Sequence, residues 1–197
     1  TNVDGSKRWQ FPADNSNVGP FQADPAVTDG LIIVTSMAQK GKVYALDSNG
    51  QTKWEFAESQ DRLIAPATGH GDRVYVPSAD HTLYVLNLDG ARQWTFKAGA
   101  GLWGGVVATD EMVYVPSMDH TLYALDAATG TEKWRHVVTG GAPSRRGVGY
   151  WPGDGSTGAR IIFTSGRRLM AIDAATGTPS KGFGTNGEAD LGIPSNY

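Results

Sequence analysis

Four histidines, a recurring acid and two isolated tryptophans are the residues whose types and spacing could do chemistry. His81 and His120 hold the same place in two similar stretches, each directly after an aspartate, Asp80 or Asp119. Imidazole beside carboxylate is a pairing a divalent metal could use. A turn residue repeated in successive units would leave the same pattern, and that is the expected role; His70 and His136 stand at no ligand-like spacing from the pair. Asp47, Asn87, Asp126 and Asp173 also recur, and they would make a ring of carboxylates if they faced one axis. Each is closely followed by a glycine, Gly50, Gly90, Gly130 or Gly177. The expected role is therefore to hold a turn through side-chain bonds to backbone N–H groups. No metal site and no catalytic residue is assigned from these patterns.

Other chemistries are excluded by what the chain lacks. It has no cysteine, which removes disulfides, thiolate metal sites and cysteine nucleophiles together. The stretch Gly99–Gly105 does not end in the Gly-Lys-Ser/Thr of a phosphate loop, and no Gly-x-Ser-x-Gly elbow occurs. The formal net charge of -3 argues against a nucleic-acid partner, which calls for a clustered basic surface. No run of apolar residues is long enough for a membrane-spanning helix, and no signal peptide is visible. The chain begins at Thr1 in mid-pattern and ends soon after a Gly- and Pro-containing stretch. It reads as a processed chain, a domain excerpt or a fragment.

The elements that position these residues are repeats. Lys42-Val43-Tyr44-Ala45-Leu46-Asp47 leads to Trp54, Thr82-Leu83-Tyr84-Val85-Leu86-Asn87 to Trp94, and Thr121-Leu122-Tyr123-Ala124-Leu125-Asp126 to Trp134. The three tryptophans are evenly spaced at 40 residues. A fourth copy, Arg168-Leu169-Met170-Ala171-Ile172-Asp173, ends in Thr176-Gly177 with no tryptophan after it. Each unit reads as four short strands. In the third these are Gly104–Ala108, Met112–Ser117, Thr121–Asp126 and Glu132–Val137, separated by turn residues. A four-stranded sheet of this size cannot bury both faces alone and needs a neighbour on each side. One large flat indole per unit suits packing across to that neighbour, and Ala45 and Ala124 leave room for it.

Ala124-Leu125-Asp126-Ala127-Ala128-Thr129-Gly130-Thr131-Glu132-Lys133-Trp134 resembles the tryptophan-docking motif of PQQ-type β-propeller repeat proteins. The resemblance implies an all-β propeller of about four four-stranded blades, near residues 21–57, 62–97, 101–138 and 146–191. Residues 7–11, with Trp9, read as the outer strand of another blade. The fourth blade shows no obvious outer strand, and residues 7–11 could complete it. An open arc or fragment is favoured over a closed small ring, so the expected partners are further blades or a second copy, meeting at exposed edges.

The first part of the chain is similar to BamB-like propellers. From Ser144 to Leu191 the order Arg146-Gly147-Val148-Gly149-Tyr150-Trp151, Arg160-Ile161-Ile162, Leu169 to Gly177, and Gly182-Phe183-Gly184-Thr185-Asn186-Gly187 resembles PQQ-dependent glucose, quinate and alcohol dehydrogenases. That resemblance implies a periplasmic or extracytoplasmic oxidoreductase. It matches Arg146 to an arginine that meets a carboxylate of pyrroloquinoline quinone (PQQ), while Arg145 reads as surface charge. A guanidinium fork binds a carboxylate through two parallel N–H bonds. Trp103 and Trp151 fall outside the docking series and could line a central cavity where a flat quinone stacks, although ordinary blade packing is the expected role. In the resembled enzymes Ca²⁺ polarises the quinone and an aspartate takes the substrate proton; neither the calcium ligands nor that aspartate can be placed on this chain. Two functions follow: the PQQ-binding propeller portion of a dehydrogenase oxidising a sugar or alcohol, inactive alone, or a non-catalytic BamB-like scaffold for protein–protein interaction.

Overall fold

Short alternating apolar runs separated by positive-φ glycines dictate hairpins, and the computed structural model is built entirely of them. It describes residues 3–14 and 18–192. The first sheet holds β1 (Ala26–Thr28), β2 (Leu31–Thr35), β3 (Val43–Leu46) and β4 (Thr52–Phe56). The second holds β5 (Thr68–His70), β6 (Arg73–Pro77), β7 (Thr82–Asn87) and β8 (Arg92–Lys97). The third holds β9 (Val107–Ala108), β10 (Met112–Pro116), β11 (Thr121–Asp126) and β12 (Glu132–Val137). The fourth holds β13 (Gly149–Trp151), β14 (Arg160–Ser165), β15 (Arg168–Asp173) and β16 (Glu188–Asp190). Each is an antiparallel meander in chain order, the first strand at one edge and the fourth at the other. These are the blades of a propeller.

Burial runs between blades. The third strand of blades 1 to 3 is covered on both faces; β3 is buried at all four positions, and β7 and β11 at five of six. One cluster joins Ile33, Val43 and Ala45 of blade 1 to Val74, Tyr84 and Leu86 of blade 2. A second joins Tyr75, Leu83 and Val85 to Val113, Tyr123 and Leu125 of blade 3. A third joins Tyr114, Leu122 and Ala124 to Phe163, Met170 and Ile172 of blade 4. None of the three joins blade 4 back to blade 1, so among the described residues the sheets are not closed into a ring.

The repeated tryptophans lock these interfaces. Trp54 donates its indole N–H to the Leu88 carbonyl at 2.6 Å and lies against Gly90. Trp134 donates to the Ala174 carbonyl at 3.2 Å and lies against Gly177. Trp94 covers Gly130 in the same way, but its buried N–H finds no partner among the described residues. Burying an indole removes about 200 Å² from water, worth on the order of 5 kcal/mol as an upper bound.

One sequence expectation needs correction and another concerns a blade outside the four described. Residues 7–11 pair with no strand among the described residues. Trp9 nevertheless docks on blade 1 as the other tryptophans dock on theirs, donating to the Ser48 carbonyl at 2.9 Å and lying against Gly50. The fourth blade does have its own outer strand, β16, paired through Arg168↔Asp190, Leu169↔Ala189 and Met170↔Glu188. Opposite Ala171, where the other blades place tryptophan, stands Gly187, whose N–H to Phe183 and carbonyl to Ala171 close a tight turn. A Cβ there would meet the Ala171 carbonyl at 2.8 Å, so no larger residue fits.

Candidate functional site

The connection between β12 and β13 carries Arg145 and Arg146 at the tip of a turn. Ser144 shapes the turn: its carbonyl accepts the Gly147 N–H at 3.1 Å, and its hydroxyl accepts the Arg146 N–H at 3.1 Å. Gly147 takes φ +99° and presses on blade 3, where a Cβ would stand 2.7 Å from the Gly105 carbonyl. Gly104 in turn would push a Cβ to 2.8 Å from the Ser144 carbonyl. Only glycines allow backbones to meet this closely. That contact explains why the inner strand of blade 3 begins at Val107 and not at Gly104, as its sequence suggested.

Arg146 is exposed, and its side chain has no partner among the described residues. Its guanidinium is thus uncommitted in the fold. Arg145, read from sequence as plain surface charge, stacks its guanidinium on the Trp103 ring, 4.6 Å from the centroid. Cation–π pairing at an exposed site contributes about 0.5–1 kcal/mol. Trp103 itself packs against Gly101, where a Cβ would touch its Nε1. Arg145 and Trp103 lie far apart in the chain, and no sequence signal links them. Trp151 does not join this group: it ends β13 at the opposite end of the strand and carries Arg160 over its ring at 5.4 Å.

The recurring polar residues fall on turns. His81 and His120 take φ +75° and +68°, a conformation their turns require. Asp80 and Asp119, just before them, clasp blade connections together. Asp80 accepts the Tyr84 hydroxyl at 2.8 Å and the Gln60 N–H at 2.8 Å. Asp119 accepts the Tyr123 hydroxyl at 2.6 Å and the Gly99 N–H at 2.8 Å. Burial alone would raise both carboxyl pKa values, but these hydrogen bonds outweigh it and the net direction is down. Desolvation, then the Asp80 bond, pushes Tyr84 up to about 12. Asp47, Asn87, Asp126 and Asp173 each cap their turn through Oδ1, accepting two backbone N–H groups apiece. His70 meets Asp110 at 2.9 Å across the boundary of blades 2 and 3. No group of three metal-ligating side chains converges among the described residues.

Repeated four-stranded meanders with interlocking tryptophans define a β-propeller of tryptophan-docked blades. Residues 1–102 match the family model of the outer membrane protein assembly factor BamB. Residues 105–195 match that of the β-propeller domain of glucose, ethanol and alcohol dehydrogenases. The chain belongs to the PQQ-type β-propeller repeat family. No curated protein matches it in sequence. Among solved structures, BamB from Moraxella catarrhalis is similar at 21% identity and a TM-score of 0.65, over 84% of this chain and 52% of that one. The quinohemoprotein alcohol dehydrogenase ADHIIG from Pseudomonas putida HK5 is similar at 18% identity and a TM-score of 0.65, over 81% and 33%. The computationally designed Ika4 protein is similar at 13% identity and a TM-score of 0.63, over 82% and 92%. The chain thus spans about half of the BamB structure and a third of the dehydrogenase.

Proposed function

We propose that this chain is the PQQ-facing propeller portion of a periplasmic quinoprotein dehydrogenase that oxidises a sugar or alcohol. The observation that carries the reading is Arg146: an exposed guanidinium without a partner among the described residues, on a turn fixed by the Gly147–Gly105 contact, within the half that matches the dehydrogenase propeller model. PQQ is a tricarboxylate, and this arginine offers a carboxylate two parallel N–H donors. Arg145, held on Trp103, adds positive charge beside it. The residues therefore fit the acidic end of the cofactor. They do not fit its calcium, for which no ligand set converges among the described residues. When bound, the quinone accepts the electrons removed from the alcohol; the part of this chain is to hold and orient it.

A PQQ titration with Ca²⁺ present, followed by tryptophan fluorescence, tests the reading on this chain and on Arg146→Ala. Saturable quenching that weakens at least tenfold in the variant supports it. Quenching that the variant leaves unchanged sinks it.

A second reading, a non-catalytic scaffold that binds other proteins, is favoured by the match of residues 1–102 to BamB. It expects no saturable PQQ binding and no dependence on Arg146. Among the described residues no helix is long and apolar enough to cross a membrane, which is compatible with both.

A further inference from the structure

Blade 4 differs from the others at one end. Blades 1 and 2 link their first two strands through Asp29-Gly30 and Gly71-Asp72, whereas blade 4 runs from Pro152 to Ala159. Blades 1 to 3 link their last two strands by tight turns at Asp47, Asn87 and Asp126, whereas blade 4 runs from Ala174 to Gly187. Both long connections lie at the same end of the same sheet. Long ordered connections on a rigid scaffold are where binding groups concentrate. Here they enclose a cleft of about 520 Å³, lined among others by Thr157, Arg160, Asp173, Thr178, Ser180 and Lys181.

The cleft is built, and its charges are uncommitted. Asp154 fixes the first wall by accepting the N–H groups of Ser156 and Thr157 at 3.0 and 2.8 Å. Arg160 is held in place twice: its ring neighbour is Trp151, and its Nη2 donates to the Lys181 carbonyl at 3.0 Å. Its Nε is buried without a hydrogen-bond partner among the described residues. Neither Arg160 nor Lys181 forms an ion pair among the described residues. The one carboxylate on the wall, Asp173, uses Oδ1 to accept the N–H groups of Ala175 and Thr176 and the Thr176 hydroxyl. Its Oδ2 accepts no hydrogen bond among the described residues and remains as an acceptor. Two cations with free N–H donors beside one free carboxylate oxygen suit a ligand that has an anionic end and a neighbouring hydroxyl.

We propose that the cleft between residues 152–159 and 174–187 binds a small hydroxylated oxyanion, a carboxylate or a phosphate ester, on Arg160 and Lys181, with a ligand hydroxyl donated to Asp173. The site stands at the far end of β13 from Arg146 and does not depend on the PQQ reading.

Calorimetric titration of the purified chain with glycerate, glycerol 3-phosphate and glycerol tests it, with Trp151 and backbone amide shifts as a second readout. Saturable binding of glycerate or glycerol 3-phosphate, with no binding of glycerol, is expected, and the tighter of the two identifies the anion. Arg160→Gln and Lys181→Gln each weaken binding about tenfold, the size of one lost charge-assisted bond. Lys181→Gln keeps the carbonyl that holds Arg160, so its loss of binding is not a loss of fold. Lys53→Gln, the same charge change on an exposed strand of blade 1, leaves binding intact. The proposal is overturned by no saturation up to about 10 mM, by equal binding of glycerol, or by unchanged affinity in both variants.

Discussion

Trp54 rests its indole on Gly90 of the next blade, so closely that a Cβ on Gly90 would stand 2.7 Å from the ring. Gly90 also takes φ +83°. The glycine therefore does two things at once: it closes its own turn and makes the floor on which the neighbouring blade docks. Gly71 shares only the first task, with φ +57° and no atom within 4 Å of where a Cβ would stand. Gly71→Ala is expected to cost about 1 kcal/mol, the penalty of a left-handed alanine. Gly90→Ala is expected to cost about 2–4 kcal/mol, since overpacking is added to that strain. Urea denaturation of both variants checks the difference, and equal losses would count against docking as a source of stability.

Trp54 and Trp94 occupy equivalent places but differ in one hydrogen bond. The Trp54 N–H is satisfied by Leu88, and the Trp94 N–H is buried without a partner among the described residues. Phenylalanine removes the N–H and some volume at both sites. At Trp54 it also leaves a carbonyl short of a donor, whereas at Trp94 it removes an unsatisfied group. Trp54→Phe is expected to be more destabilising than Trp94→Phe by about 1–2 kcal/mol. Paired denaturation curves measure this directly.

Acid should loosen the turns in a defined direction. The hydrogen bond from Lys133, with those from Thr129, holds the Asp126 carboxyl down to about 2, against about 3.9 in an unfolded chain. A depressed folded pKa means that the charged form favours the fold. Its contribution is fully present above about pH 4 and is lost as pH falls through about 2. Asp80 and Asp119 act with the same sign. Asp126→Asn keeps the turn bonds, as Asn87 does in blade 2, but loses the Lys133 pair. A Tm gap between wild type and Asp126→Asn at pH 6 is expected to narrow steadily as the pH is lowered from about 4 through about 2. A gap that stays constant over that range would mean the Lys133 pair contributes nothing.

The blades were legible because each repeat states its turn and its contact together. Asp126 to Gly130 marks a turn, and Trp134 soon after it marks the neighbour it docks on. Residues that depend on tertiary partners were not legible. Glu188-Ala189-Asp190 has neither apolar alternation nor tryptophan, and it is a strand because β15 templates it and Arg168 pairs with Glu188 at 2.8 Å. Residues 7–11 read as part of another blade, and among the described residues no strand lies beside them to pair with. In the candidate site, Arg146 was visible through its motif, whereas the Arg145–Trp103 stack joins two loops with no shared pattern. The Arg160–Lys181 cleft was hidden for the same reason: its walls are two connections far apart in the chain with no shared pattern.

The two arginines at the β12–β13 connection should separate cleanly by experiment. Arg145 is committed to the face of Trp103, whereas the Arg146 side chain makes no hydrogen bond, ion pair or ring contact among the described residues. Arg146→Ala is accordingly expected to leave Tm unchanged. Arg145→Ala is expected to lower stability by about 0.5–1 kcal/mol and to red-shift the Trp103 emission as water reaches the uncovered ring. A double variant should equal the sum of the two, because the side chains do not touch the same partner. If Arg146→Ala instead carried the larger stability loss, its guanidinium would be a packing element and not a free carboxylate receptor, and the PQQ reading would lose the observation it rests on.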